Sequence, residues 1–311
     1  MNGGPSQLET FDPKPKASAD VRGPYQAIAT RIPGVHFSET LPRLAMLADR
    51  FALVRSLTWD GPAVHAAAIE LLTTGVTGTF PPQPALTARV NDRWQPRGLA
   101  PHAVVLGDNL DSELEFIELS QVLSARRSTN IDRFGQGDFG RRCSLACNLI
   151  EAGTQFVTIH SHAQLHAELT WDCHADGMDL ATTLNDYGNF ICPEFDLGCS
   201  ALLEHLDQRN LLEETLVVAV GEFGRTSHIN SRGGRDHATG AWSALVAGGN
   251  IRPGVVVGAS DSQGASVATS PVAPFELFRV IESHLGIPHV PAEKNSTKKQ
   301  APISALANLF V

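Results

Sequence analysis

The chain has 311 residues, 42% of them hydrophobic and 18% charged, with a net charge of −9. Such a composition can bury a core and excludes disorder on compositional grounds. The acidic balance and the lack of a long basic block argue against a nucleic-acid partner, whose phosphates need clustered Lys and Arg. Lys294, Lys298 and Lys299 form the only basic cluster and read as a solvated loop. No run of about 18 apolar residues occurs, so no membrane span is expected. Met1 leads straight into "NGGPSQLETFDPKPK", which is not a signal peptide. The five cysteines are odd in number and include no C-x-x-C, so neither a disulfide framework nor a thiolate zinc site is expected.

The first 37 residues are rich in Pro and Gly and read as extended loop. "SETLPRLAMLADRF" predicts a helix capped by Ser38 or Thr40. "ALVRSL" is a short apolar strand. "AVHAAAIELLTTG" is a helix from about Val64, ended by Gly75. "HAVVL" is a strand, and residues 107–137 are a weakly patterned polar excursion. "DFGRRCSLACNLIEAG" places Phe139, Cys143, Ala146, Cys147 and Ile150 on one helical face, so its cysteines pack. The strand "QFVTIH" follows. In "FDLGCSALLEHLDQRN", Phe195, Cys199, Leu202 and Leu206 point inward. "TLVVAV" is apolar on both faces, as a central parallel strand should be. "SALVAG" and "VVVG" are further strands, and "PFELFRVIESHLG" is a closing helix between Pro274 and Gly286. The alternation predicts an α/β fold, a mostly parallel central sheet covered on both sides as a three-layer sandwich.

In open α/β sheets ligands bind outside the carboxyl ends of the strands. Three polar clusters fall at such places: Glu222 after the strand 216–220, Asp172 and His174 after the strand 155–160, and Asp236 and His237 ahead of the strand 243–247. Carboxylates and imidazoles together are the mixed ligand set of zinc, manganese or iron. Arg225 can hold a tetrahedral oxyanion. Simpler readings stand beside these. Glu222 and Arg225 can form a structural ion pair. His160, His162, His166 and His174 suit a surface loop better than four ligands. His65, opening an Ala-rich helix, suits a hydrogen-bonding role at its N-terminus.

The motifs "NGGPSQLETFDPKP", "FSETLPRLA", "ALVRSLT", "H…LLTTG", "WDCH", "LLEETLVVAVGEFGRT", "GRDH" and "PVAPFEL…LG" occur in that order. They resemble the bacterial family called domain of unknown function 1501, over nearly the whole chain as one domain. The resemblance extends to the alkaline-phosphatase and sulfatase-like superfamily, whose members use metals at the carboxyl ends of a parallel sheet. It implies hydrolysis of phosphate or sulfate esters, on a small-molecule or polysaccharide substrate. The alternative is an exported binding or structural protein that keeps the fold without catalysis. The implied cofactor is a divalent metal, zinc first, with manganese, calcium or magnesium as alternatives.

By this resemblance Asp172, His174 and His237 bind a first metal. Glu222 falls at an acidic ligand of a second, and Phe223 falls where a histidine often follows. His65 falls near the nucleophile's place, as ligand, acid/base or nucleophile; Arg225 as the holder of the anion is read from its chemistry alone. The C-x-P-x-R signature of formylglycine sulfatases is absent; "CPEF" at Cys192 does not fit it. In relatives an apolar strand and a twin-arginine export signal precede "NGGPS", which implies a periplasmic or exported protein. The chain is therefore expected to lack a central strand and its acidic ligand, with Asp12 or Glu9 as substitutes. The segment between Leu106 and Phe139 also looks short for the family.

Overall fold

Apolar segments of four to six residues and longer amphipathic stretches alternate along the chain, and most become the expected strand or helix. The computed structural model describes residues 1–78, 83–94, 102–105, 131–162, 169–289 and 305–310. Its strands are β1 (Ala27–Ala29), β2 (His36–Ser38), β3 (Ala52–Leu57), β4 (His102–Val105), β5 (Phe156–Ile159), β6 (Val217–Val220), β7 (Gly224–Arg225), β8 (His237–Ala238), β9 (Trp242–Ala247), β10 (Val256–Val257), β11 (Ala259–Ser260) and β12 (Val267–Thr269). Its α-helices are α1 (Ala19–Arg22), α2 (Pro42–Met46), α3 (His65–Thr74), α4 (Leu86–Arg93), α5 (Asp138–Glu151), α6 (Leu184–Asp186), α7 (Cys192–Gln208) and α8 (Pro274–His284). A π-helical turn, Tyr187–Ile191, joins α6 to α7.

The fold is mixed α/β, and its sheet is of mixed orientation. Four strands pair in the order β10-β3-β9-β6. β10 runs parallel to β3, whereas β9 is antiparallel to both of its neighbours. This corrects the expectation of a mostly parallel sheet. The reason lies in the connection. A parallel return needs a crossover, usually through a helix. The residues between β6 and β9 instead form the small β7–β8 ribbon, so the chain comes back antiparallel. β9 is buried along its whole length and takes the central place expected of β6. β6 is half-buried at the sheet edge. β4 and β5 pair in parallel as a separate two-stranded sheet.

Two apolar layers flank the four-stranded sheet. One packs α5 and α7, through Cys143, Cys147, Phe195, Cys199 and Leu206, against Leu53 and Leu245. The other packs Leu277 and Val280 of α8 against Val54, Ala244 and Val246. All five cysteines are buried and reduced, in keeping with a packing role.

The first 37 residues do more than the expected loop. Leu8 and Phe11 are buried, α1 forms, and β1 and β2 make an antiparallel hairpin. The helix expected over 38–51 is shorter. Ser38 belongs to β2, and the helix begins at Pro42 with no cap from Ser38 or Thr40. Asp196 of α7 accepts instead from the backbone N–H groups of Arg43 and Leu44, at 2.9 and 2.8 Å. It satisfies donors that a helix N-terminus otherwise leaves unpaired. The reading of 107–137 as a polar excursion falls mostly outside the described residues, as does the end of the strand at Leu106.

Candidate metal centre

Four chain segments meet beyond the carboxyl ends of β5 and β6: the N-terminus of α3, the 170–174 loop, the residues just after β6, and the start of β8. Asp172 is their centre. It is fully buried, and three imidazoles face it. His65 Nε2 lies 2.8 Å from Asp172 Oδ2, and His237 Nε2 lies 3.3 Å from the same oxygen. His174 Nε2 lies 3.4 Å from Asp172 Oδ1.

Each histidine turns its other nitrogen to an oxygen acceptor. His65 Nδ1 is 2.8 Å from Glu222 Oε1, His174 Nδ1 is 2.9 Å from Asp236 Oδ1, and His237 Nδ1 is 3.0 Å from the carbonyl of Ala63. A neutral imidazole carries one proton and one lone pair. With the proton on Nδ1, every Nε2 lone pair points toward a carboxylate. Such an arrangement needs extra protons or a cation between the groups. The partners of Nδ1 are those that metal-bound histidines use to fix tautomer and ring orientation.

The protonation balance of the cluster is strongly perturbed. Burial lowers the pKa of His65, but the hydrogen bonds to Asp172 and Glu222 outweigh it and hold the imidazole up at about 9. Burial pushes Asp172 up, yet His237, His65 and the Arg225 charge together hold it well below the usual carboxylate range. Glu222 is likewise held low, its burial outweighed mainly by His65. His237 goes the other way: burial lowers it, with the Arg225 charge adding to the effect against Asp172. One ring is thus an imidazolium wedged between carboxylates, and a neighbour is a neutral base.

His65, Asp172 and His237 form a group able to hold a metal ion, with one ligand atom from each within 4.8 Å of the others. The three histidine side chains keep 16–20% of their surface exposed, whereas Asp172 has none, so the imidazole edges are the accessible side. Glu222 reaches the cluster through His65, and it also accepts from the backbone N–H of Gly3 at 2.8 Å. Phe223 is fully buried, and its ring packs against His237 and His65 with centroids 4.3 and 5.0 Å apart. Gly4 lies under that ring with φ +74°, and a Cβ there would come within 2.6 Å of Phe223 Cδ2.

Arg225 is placed differently from the expectation. It is fully buried, and its Nη2 pairs with Asp172 Oδ1 at 2.9 Å rather than with Glu222. Nε donates to the Gly4 carbonyl at 2.8 Å and Nη1 to the Arg235 carbonyl at 3.1 Å. Nη2 also donates to the carbonyl of Gly3. The guanidinium has no face to offer a substrate anion. Glu9 and Asp12 also lie elsewhere: Glu9 pairs with Arg235, and Asp12 with Lys14 and Arg55. His160 meets the side chain of Asn2 at 3.1 Å, and His166 lies outside the described residues.

Sequence reading missed the Ala63 carbonyl, the Gly3 N–H and the role of Asp236 toward His174. The D-H pair in "GRDH" was the available signal for Asp236. Nothing in a sequence marks a carbonyl as an acceptor.

A mixed α/β fold with a buried carboxylate ringed by imidazoles defines the class. The chain matches the family model described as a protein of unknown function, DUF1501, over residues 1–116 and 115–304, and it belongs to that family. No curated protein sequence matches it. Among solved structures it is similar to the crystal structure of Ps i-CgsB in complex with k-i-k-neocarrahexaose. The identity is 12% over 82% of this chain and 68% of that one, with a TM-score of 0.47. It is similar also to the crystal structure of Ps i-CgsB, at 13% identity over 86% and 70%, with a TM-score of 0.43. Among the described residues no helix is long and apolar enough to cross a membrane.

Proposed function

We propose that the protein is a metal-dependent hydrolase of phosphate or sulfate esters, working on a small-molecule or polysaccharide ester in the periplasm or outside the cell. The observation that carries the metal centre is the triple arrangement around Asp172: three Nε2 atoms facing one carboxylate, and three Nδ1 atoms each held by an oxygen. Two nitrogens and a carboxylate, with a third imidazole beside them, suit zinc, and manganese less well, whereas calcium and magnesium take oxygen ligands. Asp172, His237 and His65 would hold the ion, with His174 beside them. Of the three roles expected of His65, ligand, acid/base or nucleophile, this reading takes the ligand. Glu222 keeps the Nδ1 proton of His65 in place and so acts one layer out. Arg225 holds the second oxygen of Asp172 and positions that carboxylate.

A bound divalent cation supplies Lewis acidity toward an ester oxygen. The accessible imidazole edges define the face a substrate would approach. Asp236 lies there with half its side chain exposed, and it is held in the carboxylate form, burial being outweighed by hydrogen bonds from His174 and Asn230. Phe223, buried and packed against His65 and His237, keeps water from that side of the centre.

A second reading is an exported binding protein with one structural metal. Two points favour it. Phe223 is buried where the resemblance puts a histidine ligand, and the described residues bring only one group of ligands together. Turnover separates the two. Zinc-loaded protein should hydrolyse members of a panel of phosphate and sulfate esters that includes modified oligosaccharides, and His237→Ala should lose that activity. One tightly bound ion with no turnover across the panel would favour the binding protein.

A further inference from the structure

Side chains alternate from face to face along a strand, and the β7–β8 ribbon uses both faces. His237 is turned to the metal centre, whereas its neighbours Asp236 and Ala238 line a cleft of about 430 Å³. Ser227 and Ile229, which follow β7, line it too, as does Ala265 from the loop before β12. The volume lies in the range of small-molecule sites, roughly 300–1,000 Å³. Asp236 joins the cleft to the centre. Its Oδ1 is 2.9 Å from His174 Nδ1, and Nε2 of that ring is 3.4 Å from Asp172 Oδ1, so a single imidazole separates the two.

Most polar side chains of the lining are satisfied by the protein itself. Thr226 Oγ1 accepts from the Asp236 N–H at 3.1 Å and donates to the His228 carbonyl at 3.1 Å. Asn230 Oδ1 accepts from the N–H groups of Arg232 and Gly234, each at 3.0 Å. Two groups are not satisfied. His174 and Asn230 both meet Asp236 at Oδ1, and Oδ2 has no partner among the described residues. Ser227 is only 8% exposed, yet its hydroxyl has no partner among the described residues either. Folded proteins leave few buried polar groups unpaired, because each costs its lost hydration. The backbone around these two groups is fixed: the Ser227 carbonyl accepts from Arg235, and the Ile229 N–H donates to the Asp20 carbonyl at 2.9 Å.

We propose that this cleft is a saccharide subsite which, on the hydrolase reading above, holds one uncharged sugar residue beside the ester group at the metal centre. Its chemistry follows from the lining. A carboxylate oxygen only accepts, and a hydroxyl both donates and accepts. Adjacent sugar hydroxyls meet both needs, one donating to Asp236 Oδ2 and the next pairing with Ser227 Oγ. The C–H face of the ring packs on Ile229, Ala238 and Ala265. The Asp236 charge repels a sulfate or phosphate, so the ester itself stays out of the cleft. An ammonium group would find one half-exposed carboxylate and no second acid among the described lining residues, which is a weak pairing. The substrate is then an oligosaccharide or polysaccharide whose esterified residue has an unesterified neighbour, rather than a small ester.

The test titrates neutral galactan, glucan and mannan hexasaccharides onto the metal-free full chain, with a glucosamine hexamer and a sulfated galactan hexamer as charged counterparts. Amide NMR shifts are followed. At least one neutral hexamer should shift Ser227, Ile229, Ala238 and Ala265 saturably, and should bind at least fivefold more tightly than either charged one. Ser227→Ala, which removes the hydroxyl, and Ala265→Trp, which fills the cleft, should each weaken that binding at least fivefold and leave zinc affinity unchanged. No shift with any neutral hexamer, tighter binding of a charged one, or indifference to both substitutions would overturn the proposal. The hydrolase reading is scored separately, by ester turnover of the zinc-loaded protein. Sugar binding without turnover would sink the hydrolase and keep the subsite, and turnover without sugar binding would do the reverse.

Discussion

Asp172→Asn is expected to remove the bound metal and to destabilise the protein by about 3–5 kcal/mol, the usual cost of breaking one side of a buried ion pair. The change keeps the shape of the side chain and removes only its charge. Asp172 is fully buried, ion-paired with Arg225 and faced by three imidazoles. Without its charge the fully buried Arg225 has only carbonyl partners, and a cation loses the one anionic ligand of its group. His237→Asn serves as the companion variant. His237 keeps some exposure, and Asp172 retains the Arg225 charge at 2.9 Å when His237 is lost, so its loss should abolish metal binding at a much smaller cost in stability. Denaturant midpoints and metal content of the two variants check this. If Asp172→Asn retains its metal, Asp172 is not a ligand.

Glu9→Gln should be nearly as damaging, although Glu9 touches no site residue directly. Its carboxylate forms a bidentate pair with Arg235, Nη2 to Oε1 at 2.6 Å and Nε to Oε2 at 2.9 Å, and both side chains are buried. Arg235 also donates to the Val21 carbonyl at 2.8 Å, and its own N–H donates to the Cys173 carbonyl at 2.8 Å. Gly23 lies against the pair with φ +74°, where a Cβ would come within 2.3 Å of Glu9 Oε1. One guanidinium thus clamps the N-terminal segment, α1 and the loop that presents His237. Leaving it buried without its counter-charge should cost about 3–5 kcal/mol. Adding Arg235→Gln to Glu9→Gln should recover part of the loss, a coupling that a double-mutant cycle measures directly. Additive effects of the two changes would mean that the pair contributes no mutual stabilisation.

The helices were legible because their apolar residues recur at helical spacing. α5 and α7 turn Cys143, Cys147, Phe195 and Cys199 inward as their spacing requires. α3 ends at Gly75, whose φ of +83° no β-branched residue would tolerate. Strand positions were legible for the same reason, but strand direction was not. "SALVAG" is equally apolar whichever way it runs, and only the ribbon before it dictates an antiparallel return. The cap of α2 could not be read, because Asp196 is remote in sequence while Ser38 and Thr40 offered a plausible local signal.

The same division holds at the site. The residue types of Asp172, His174, Glu222 and His237 and their places at strand ends marked the region. What each does depends on a neighbour that spacing does not reveal. Arg225 looks like an anion holder in sequence. The carbonyls of Gly3 and Gly4, more than two hundred residues away, turn it inward. His65 looks like a helix-start histidine, yet two carboxylates close on it from different loops.

Zinc titration of metal-stripped protein against a competing chelator, repeated at several pH values, tests the centre most directly. Below about 9 His65 holds a proton that the ion must displace, while His237, with its lowered pKa, has none to give up near neutrality. One ion should bind per chain, with an affinity that rises about tenfold per unit between pH 7 and 8.5, the slope for release of a single proton. Failure to bind zinc, or an affinity that does not change with pH across that range, would contradict a metal centre built on His65 and Asp172.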